Sequence, residues 1–479
     1  TGTEITLYLN EDSYEFANEY KAKEVLDKYC SFMPVPIFVT NEDAGEQTEE
    51  IPEEEVTEKD TVLDTFIKDA VTEEVEKEDG TKETVEKVPA KKMAKIVKRP
   101  VAINDIHPLW TKHPNECSDE DYKEFYRKVF HDYKEPLFWI HLNMDYPFNL
   151  KGILYFPKIN TEYESIEGTI KLYNNQVFVA DNIKEVIPEF LLLLKGCIDC
   201  PDLPLNVSRS ALQNDGFVKK ISNYITKKVA EKLSGMCKTD RENYEKYWDD
   251  INPFIKFGCL KDEKFAEKMN DYIIFKNLDG KYLTLKECLE ENKEKHENTV
   301  FYVTDEIEQS QYINMFKNEG IDAVILTHNI DQPFITNMES KNENLKFKRI
   351  DADLSDSFKE ETSKDELKDM TEKLSKTFKD ALGNENLTVS VEKLKDASIS
   401  SMITLSEESR RMQDMMKMYG MAGMDPNMFG AEGQTLVLNA NNDLVKYVAE
   451  HADGENTKII CEQLYDLSLI HISEPTRRS

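Results

Sequence analysis

The chain has 479 residues and a formal net charge of −32, and 39% of its residues are hydrophobic. This length predicts several domains. The acidic excess disfavours nucleic acids and anionic membranes as partners, because both repel a negatively charged protein. The longest apolar run, at 190–194, is too short to span a membrane. The eight scattered cysteines predict a reducing environment, as in the cytoplasm.

The first forty residues predict only pieces of a domain. Alternating Ile5, Leu7 and Leu9 predict a strand with one buried face. A helix is predicted over 13–29, and a second strand over 34–39. One helix and two short strands cannot bury a core by themselves.

Blocks of charge dominate the next segment. Residues 41–60 contain ten acidic residues and one lysine, whereas 87–99 contain six basic residues and no acidic one. Little apolar periodicity joins the two blocks, so we expect 41–99 to be a charged, solvated linker. A short apolar interruption at 62–67 could fold locally.

From residue 100 the pattern becomes that of a folded domain. Ser118 and the acidic residues after it predict the start of a helix that continues through 122–130. A helix is also predicted over 184–195. A turn at Asn174 and Asn175 joins the last two of three predicted strands. These strands lie at 152–157, 169–173 and 177–180.

A long amphipathic helix and a βαβ unit complete this region. Phe217, Ile221, Ile225 and Val229 recur every four residues, so they predict one buried helix face. The βαβ unit is predicted from a strand at 299–304, a helix at 307–318 and a strand at 322–327. The pattern therefore predicts an α/β middle domain over 100–352, with a large part at 100–236 and a small part at 237–352.

The remaining chain predicts a smaller α+β domain over 353–470. Its first part, 353–380, is highly charged and helical in pattern, and strands are predicted at 387–391, 399–404 and 434–438. An apolar stripe from Ile459 to Leu469 predicts the last helix. Pro475 prohibits a further helix, and we interpret 471–479 as a non-native tail. The fold class expected for the whole chain is multidomain, α/β followed by α+β.

The most informative segment is 202–213, which reads Asp-Leu-Pro-Leu-Asn-Val-Ser-Arg-Ser-Ala-Leu-Gln. Arg209 and Gln213 lie four residues apart, which places them on one face of a helix. The arginine fork fits phosphate oxygens in bidentate fashion, and glutamine can orient a water molecule or a phosphate oxygen beside it. Such a pair suits a γ-phosphate held by another domain. It also suits an ordinary surface helix start with a salt bridge.

The same segment closely resembles the middle-domain catalytic loop of the 90-kDa heat-shock chaperones, the bacterial HtpG type in particular. The resemblance covers nearly all of 100–470 and the first forty residues. Ser210 is a departure, because the family often has Glu there, whereas Arg209 and Gln213 are kept. Further matching segments occur in order along the chain, at 108–111, 121–126, 152–157, 170–173, 177–179 and 196–199.

The resemblance implies an ATP-dependent chaperone that binds unfolded or partly folded client proteins in the cytoplasm. Arg209 would contact the γ-phosphate of ATP, Gln213 would be its catalytic neighbour, and Asn206 and Ser208 would shape the nucleotide contact. ATP and Mg would be bound by an N-terminal ATPase domain, of which 1–40 would be a remnant and most would precede residue 1. The chain alone is therefore expected to be inactive as an ATPase.

The resemblance also implies a homodimer. The stripe that ends at Leu469 resembles the first of two helices that pair across the family's dimer as a four-helix bundle. Because the family pattern stops after residue 470, the second bundle helix is absent. We therefore expect dimerisation to be weakened in this chain.

Methionines are concentrated near the C terminus, with eight of the sixteen between 402 and 428. Met412, Met415, Met416 and Met418 suit a surface that accepts many apolar shapes, although a buried helix face is the alternative. Similarity to the family's amphipathic client-contacting helix favours client binding. Trp110 is a second candidate for a client or domain contact, against a role in the core.

No other site emerges. Cys197 and Cys200 form a CxxC pair, but a zinc or redox role needs a second pair or a helix start, so we interpret them as core residues. The eight histidines show no metal-ligand spacing, which predicts no metal site. The alternative function is a nucleotide-independent holdase that binds clients through its methionine-rich surface.

Overall fold

The computed structural model describes residues 2–43, 45–68, 71–76, 82–88, 91–158, 168–183, 186–205, 215–352, 358–360, 364–406, 409, 411 and 434–470. The chain divides into two compact units. The first comprises Thr1–Lys158, Ser165–Ile187 and Leu194–Ile221. The second comprises Ile159–Glu164, Pro188–Leu193 and Ser222–Ser479. The predicted domain boundaries, such as 236/237 and 352/353, are not tested by this division and stay predictions.

The first unit contains helices α1 (Glu19–Cys30) and α2 (Asp119–Phe130), and α3 (Asp215–Thr239) begins in it. Short 3₁₀ helices occur at Glu11–Ala17, Glu53–Glu55, Leu109–Thr111 and Pro114–Glu116. The strands are β1 (Thr48–Pro52), β2 (Val62–Lys68), β3 (Val71–Glu76), β4 (Lys82–Val88), β5 (Lys91–Val97), β6 (Phe138–Met144), β7 (Leu150–Phe156), β8 (Ile170–Asn174), β9 (Val177–Asp181) and β10 (Lys195–Asp199).

The main sheet of this unit has the order β6-β7-β10-β8-β9. Its central strand, β10, is antiparallel to β7 and parallel to β8. Gly196 permits this close pairing, since a Cβ there would lie 2.7 Å from the Ile153 carbonyl oxygen and 2.8 Å from a Leu154 methyl carbon. Because β10 is paired on both sides and buried, its C-terminal end is a rigid starting point for the chain that follows.

Helix α2 begins as predicted, at a capping box. The Ser118 side chain accepts a hydrogen bond from the Asp121 amide, and the Asp121 carboxylate accepts one of 2.8 Å from the Ser118 amide. Tyr122, Phe125 and Tyr126 form its buried face. The spacing of α3 is confirmed at three of its four positions, because Ile221, Ile225 and Val229 are fully buried, whereas Phe217 is only partly buried.

The two strands predicted in the first forty residues are wrong. Residues 2–10 form no strand, and Ile5 and Leu7 are each 79% exposed, because no described strand pairs with them. At 34–39 two prolines lack amide donors, and the Ile37 amide instead donates to Asn104 Oδ1 at 2.7 Å. The helix predicted over 13–29 is seen as the 3₁₀ helix and α1.

The expectation of a solvated linker over 41–99 is also wrong for its described residues. Strands β1, β5 and β2 form a three-stranded antiparallel sheet in that order, and β3 pairs with β4. Ala94 and Ile96 are fully buried. Opposite charges meet within the segment, as where Arg99 donates to Asp60 at 2.7 Å. Only the apolar stretch at 62–67 was expected to fold, and it does so as β2.

The helix predicted over 184–195 is replaced by two other elements. The apolar run forms the short 3₁₀ helix Glu189–Leu193, and β10 begins at Lys195. Phe190 and Leu191 are both buried, so the run is apolar on more than one side. Its sequence therefore shows neither the periodicity of a helix nor that of a strand. The hairpin between β8 and β9 is confirmed, but its turn lies one residue later than predicted, at Asn175 and Gln176.

Among its described residues, the second unit has two small sheets of three strands, ordered β14-β13-β15 and β16-β18-β17, and the pair β11-β12. Its strands are β11 (Ile274–Lys276), β12 (Tyr282–Thr284), β13 (Thr299–Val303), β14 (Ala323–Ile325), β15 (Lys346–Arg349), β16 (Thr388–Glu392), β17 (Ser401–Thr404) and β18 (Thr435–Asn439). Its helices are α4 (Arg241–Lys261), α5 (Glu263–Met269), α6 (Leu285–Glu291), α7 (Ser310–Asn318), α8 (Asp331–Lys341), α9 (Lys364–Leu382), α10 (Asp443–Glu450) and α11 (Thr457–Ile470). Its 3₁₀ helices are Glu189–Leu193 and Asn270–Tyr272.

Most predictions for this unit are confirmed. Strands β13 and β14 are parallel and joined through α7, which is the expected βαβ unit. The three strands predicted after residue 380 form one sheet, and α11 covers the stripe that ends at Leu469. The fold is therefore mixed, with several sheets and helices in a multidomain α/β and α+β arrangement.

Candidate functional site

The residues predicted to contact a nucleotide lie outside the described part of the chain. These are Asn206, Ser208, Arg209 and Gln213. The structure describes both ends of their segment. The chain leaves the sheet at the end of β10, is described through residue 205, and is described again where α3 begins. The geometry of these ends shows how the chain is held on either side of the segment.

A buried carboxylate marks the last residue of β10. Asp199 is only 5% exposed, and its Oδ2 accepts hydrogen bonds from the Gln176 amide at 2.9 Å and from Trp110 Nε1 at 3.4 Å. Its Oδ1 is buried and has no hydrogen-bond partner among the described residues. Burial raises the pKa of Asp199, and the hydrogen bond from Gln176 opposes this shift. The charge is thus held by two donors from other elements.

The hairpin turn also holds the two residues after Asp199. The Asn174 side-chain amide donates to the carbonyl oxygens of Cys200 and Pro201, at 3.0 Å each. The Cys200 amide donates to the Tyr173 carbonyl at 3.1 Å, which extends the pairing of β10 with β8 by one residue. The path of the chain through 199–201 is therefore set by side-chain and backbone contacts to one turn.

The connection between β6 and β7 contacts both ends of the segment. The Asn149 amide donates to Asp202 Oδ2 at 2.7 Å. The rings of Phe148 and Phe217, in the first turn of α3, lie 5.4 Å apart in an edge-to-face arrangement. Asp202 and Phe217, on either side of the residues that the structure does not describe, therefore contact the same connection of the sheet.

Trp110 is a core residue, so its predicted role as a client contact is wrong in this structure. The side chain is fully buried, and its ring lies 5.1 Å from that of Tyr173. Its indole N–H is directed at Asp199. Because the large apolar ring is buried and its one polar atom has a partner, no surface remains for a client.

Phe32 joins the N-terminal segment to this core. It is 3% exposed, and its ring centroid lies 4.7 Å from Trp110, 5.8 Å from Phe125 and 5.5 Å from Tyr173. The four rings belong to one buried cluster with Cys197. The segment that contains α1 is therefore packed, through Phe32, against the residues that surround Asp199.

The two cysteines of the CxxC pair are buried, as expected. Both are free thiols, and burial raises the pKa of each, to about 12 for Cys200. A thiol with a raised pKa is a poor nucleophile and a poor metal ligand at neutral pH. These cysteines therefore serve as packing residues of β10 and its exit.

The predicted client-binding methionines Met412, Met415, Met416 and Met418 lie outside the described residues. Arg411, immediately before them, is described. Its guanidinium donates to Glu339 of α8 at 2.6 and 3.3 Å, and to the Phe347 carbonyl at 3.0 Å. A bidentate pair of this kind fixes the chain at residue 411.

Among the described residues, no three His, Cys, Asp or Glu side chains lie close enough to hold a metal ion. No described helix combines the length and the apolar character needed to cross a membrane.

Sequence reasoning missed the residues that hold the segment. The sequence indicates Asn174 only as a turn residue, and Asp199 only as part of a matching segment. A sequence signal for Asp199 exists, because an acidic residue ends a strongly apolar strand directly before a proline-containing turn. The partners of Asp199 could not be inferred, since they come from positions 89 and 23 residues away.

Comparison with known proteins shows the family. Residues 15–473 match the profile of the family described as Hsp90 protein. The chain is 38% identical over 469 residues to Chaperone protein htpG of Bacteroides fragilis (strain YCH46), covering 95% of this chain and 62% of that relative. It is 36% identical to Chaperone protein HtpG of Porphyromonas gingivalis (strain ATCC 33277), covering 93% and 60%. The chain thus spans about three fifths of the length of these relatives. With a match across nearly all of its residues, the chain belongs to the Hsp90 protein family.

Proposed function

We propose that this chain belongs to an ATP-dependent chaperone that binds unfolded or partly folded client proteins. The observation that supports this most directly is the family match over 15–473, together with relatives whose printed name is Chaperone protein HtpG. The rigid exit of β10, directly before the segment that contains Arg209, is a suitable support for a side chain that must reach another module.

In this proposal Arg209 contacts the γ-phosphate of ATP, and Gln213 lies beside it. A guanidinium is permanently charged, so Arg209 would stabilise negative charge on phosphate oxygens and would not transfer protons. Asn206 and Ser208 would complete the contact. ATP and its Mg²⁺ would be held by the N-terminal ATPase domain that the family resemblance implies.

ATP turnover tests the role of Arg209. The assay uses this chain joined to the N-terminal part of the Bacteroides fragilis relative, and we expect that assembled protein to hydrolyse ATP. In that assembled protein, Arg209→Ala should lower kcat by about a hundredfold or more. Arg127→Ala is the matched control, because Arg127 is an exposed arginine of α2 that pairs with Glu120. Turnover by the assembled protein, with no effect of Arg209→Ala, would refute the proposal.

The second candidate function is a passive holdase, which the concentration of methionines before residue 428 favours. It predicts that the chain suppresses aggregation of a denatured client without ATP. Replacing Met415, Met416 and Met418 by Ser should abolish this suppression, whereas Met144→Ser, at the end of β6, should not. Suppression that appears only with ATP in the assembled protein would exclude the passive function.

We also propose a cytoplasmic homodimer. Ile459 and Leu467 of α11 are 57% and 52% exposed, and Leu444 of α10 is 50% exposed, which leaves apolar side chains for a second copy. Sedimentation of the chain at several concentrations tests this. A monomer at every concentration would refute dimerisation of this chain, without bearing on the ATPase proposal.

A further inference from the structure

The hairpin turn that contacts the exit of β10 has an unusual backbone conformation. Asn175 and Gln176 both have positive φ, of 52° and 64°. Asparagine tolerates this left-handed region, but glutamine rarely adopts it. In this turn the Gln176 amide donates to Asp199 Oδ2. The strained residue is therefore the one that binds the buried carboxylate.

The same turn binds the exit on its other side. Asn174 is 8% exposed and uses its amide group to bind the two carbonyl oxygens that follow Asp199. An Asn side chain provides two N–H donors, so one group satisfies both carbonyls. Hairpin pairing of β8 with β9 requires neither contact, because that pairing uses backbone groups only. We call Asn174, Gln176 and Asp199 the exit clasp.

The exit clasp is linked to the N-terminal segment through the aromatic cluster. Trp110 donates to the same carboxylate oxygen as Gln176, and Phe32 packs edge-to-face against Trp110. Loss of the Phe32 contact would leave a void beside the indole and allow it to turn away from Asp199. The position of the exit thus depends on residues of two other parts of the first unit.

We propose that Asp199 and Asn174 are positioning residues for the segment that contains Arg209. They determine where, and in which direction, the chain leaves the sheet at 199–201, and we expect the activity that depends on Arg209 to depend on that exit. This inference rests on the proposed function for its consequence in catalysis. Its structural part concerns the exit alone.

Hydrogen exchange on the complete chain tests the structural part. The amides of Cys200 and Leu203 are the reporters, because each donates a hydrogen bond of 3.1 Å at the exit. Asn174→Asp replaces the donor by a carboxylate of the same shape, and Asp199→Asn removes the charge. Both should speed exchange at these two amides about tenfold or more, while peptides from β7 keep their rates.

The matched control is Asn143→Asp, the same chemical change on an exposed side chain of β6. It should leave exchange at Cys200 and Leu203 unchanged. If Asn174→Asp also speeds exchange in β7, the sheet itself has loosened. Exchange at the Cys200 and Leu203 amides is then measured in the milder variant Asn174→Ala. Unchanged exchange at both amides in Asn174→Ala and Asp199→Asn overturns the inference.

A kinetic experiment tests the consequence, using the assembled ATPase described above. Asp199→Asn should lower kcat about tenfold and leave the KM for ATP unchanged, since the nucleotide pocket is untouched. In the Arg209→Ala background it should have no further effect, because the exit clasp acts through Arg209. Faster exchange with an unchanged kcat would overturn the positioning role. If Arg209→Ala alone has no effect, the proposed function fails, and the exchange result still decides whether the exit clasp exists.

Discussion

A buried ion pair in the second unit provides a prediction whose size follows from its geometry. Lys256 of α4 and Asp331, the first residue of α8, form a direct contact, and their side chains are 4% and 6% exposed. The Lys256 ammonium also donates to Asn252 Oδ1 at 3.1 Å, and Asp331 Oδ2 accepts from the His328 amide at 2.9 Å. Little solvent is present to screen either charge.

Removing one partner leaves the other charge buried without compensation, which costs about 3 to 5 kcal/mol. We therefore expect Lys256→Met to lower the free energy of unfolding of this unit by that amount, and Asp331→Asn to do likewise. The double variant removes both charges and keeps an acceptor for His328. It should cost at most about 2 kcal/mol, far less than the sum of the single changes.

Urea unfolding is the assay, followed by tryptophan fluorescence in a background with Trp110 and Trp139 replaced by Phe, because Trp248 is buried on the same helix as Lys256. Glu290→Gln serves as the control. Glu290 and Lys293 form an ion pair with side chains that are 71% and 62% exposed, so its loss should leave the unfolding midpoint unchanged. Single changes that cost under about 1 kcal/mol, or a double change that costs their sum, would refute the reasoning.

Three further predictions concern the first unit. Phe32→Ala should lower its unfolding free energy by about 3 to 5 kcal/mol in urea titrations, because it empties the centre of the aromatic cluster, whereas exposed Tyr20→Ala should change nothing. Burial lowers the pKa of His141 below 6.5, so the unfolded chain binds a proton at a higher pH than the folded chain does. The free energy of unfolding should therefore fall as the pH drops from about 7.5 to 5.5. His141→Gln should flatten this pH dependence, and an unchanged pH dependence in that variant would contradict the prediction. Buried Cys200 should resist a thiol reagent at pH 8 while half-buried Cys117 reacts, and equal labelling rates would show that the exit of β10 opens readily.

The elements that the sequence predicted correctly depend on local rules. Helix α2 begins where Ser118 and Asp121 can cap each other, and α3 follows a four-residue apolar spacing. The βαβ unit from β13 to β14 combines short apolar strands with an intervening helix pattern. In each case neighbours within about four residues supply the hydrogen bonds or the buried face, so the pattern is visible without the fold.

The sequence by itself determined the family resemblance, the mixed fold class, and the segment in which Arg209 lies. The tertiary structure decided what depends on distant partners. The run at 189–193 does not continue as a long helix, because the residues after it form β10, which pairs with β7 and β8. The charged segment at 48–97 folds because its described strands pair with one another. Trp110 is buried because Phe32, Tyr173 and Asp199 surround it. Periodicity reports which face of an element is apolar, whereas only the folded chain specifies what that face meets.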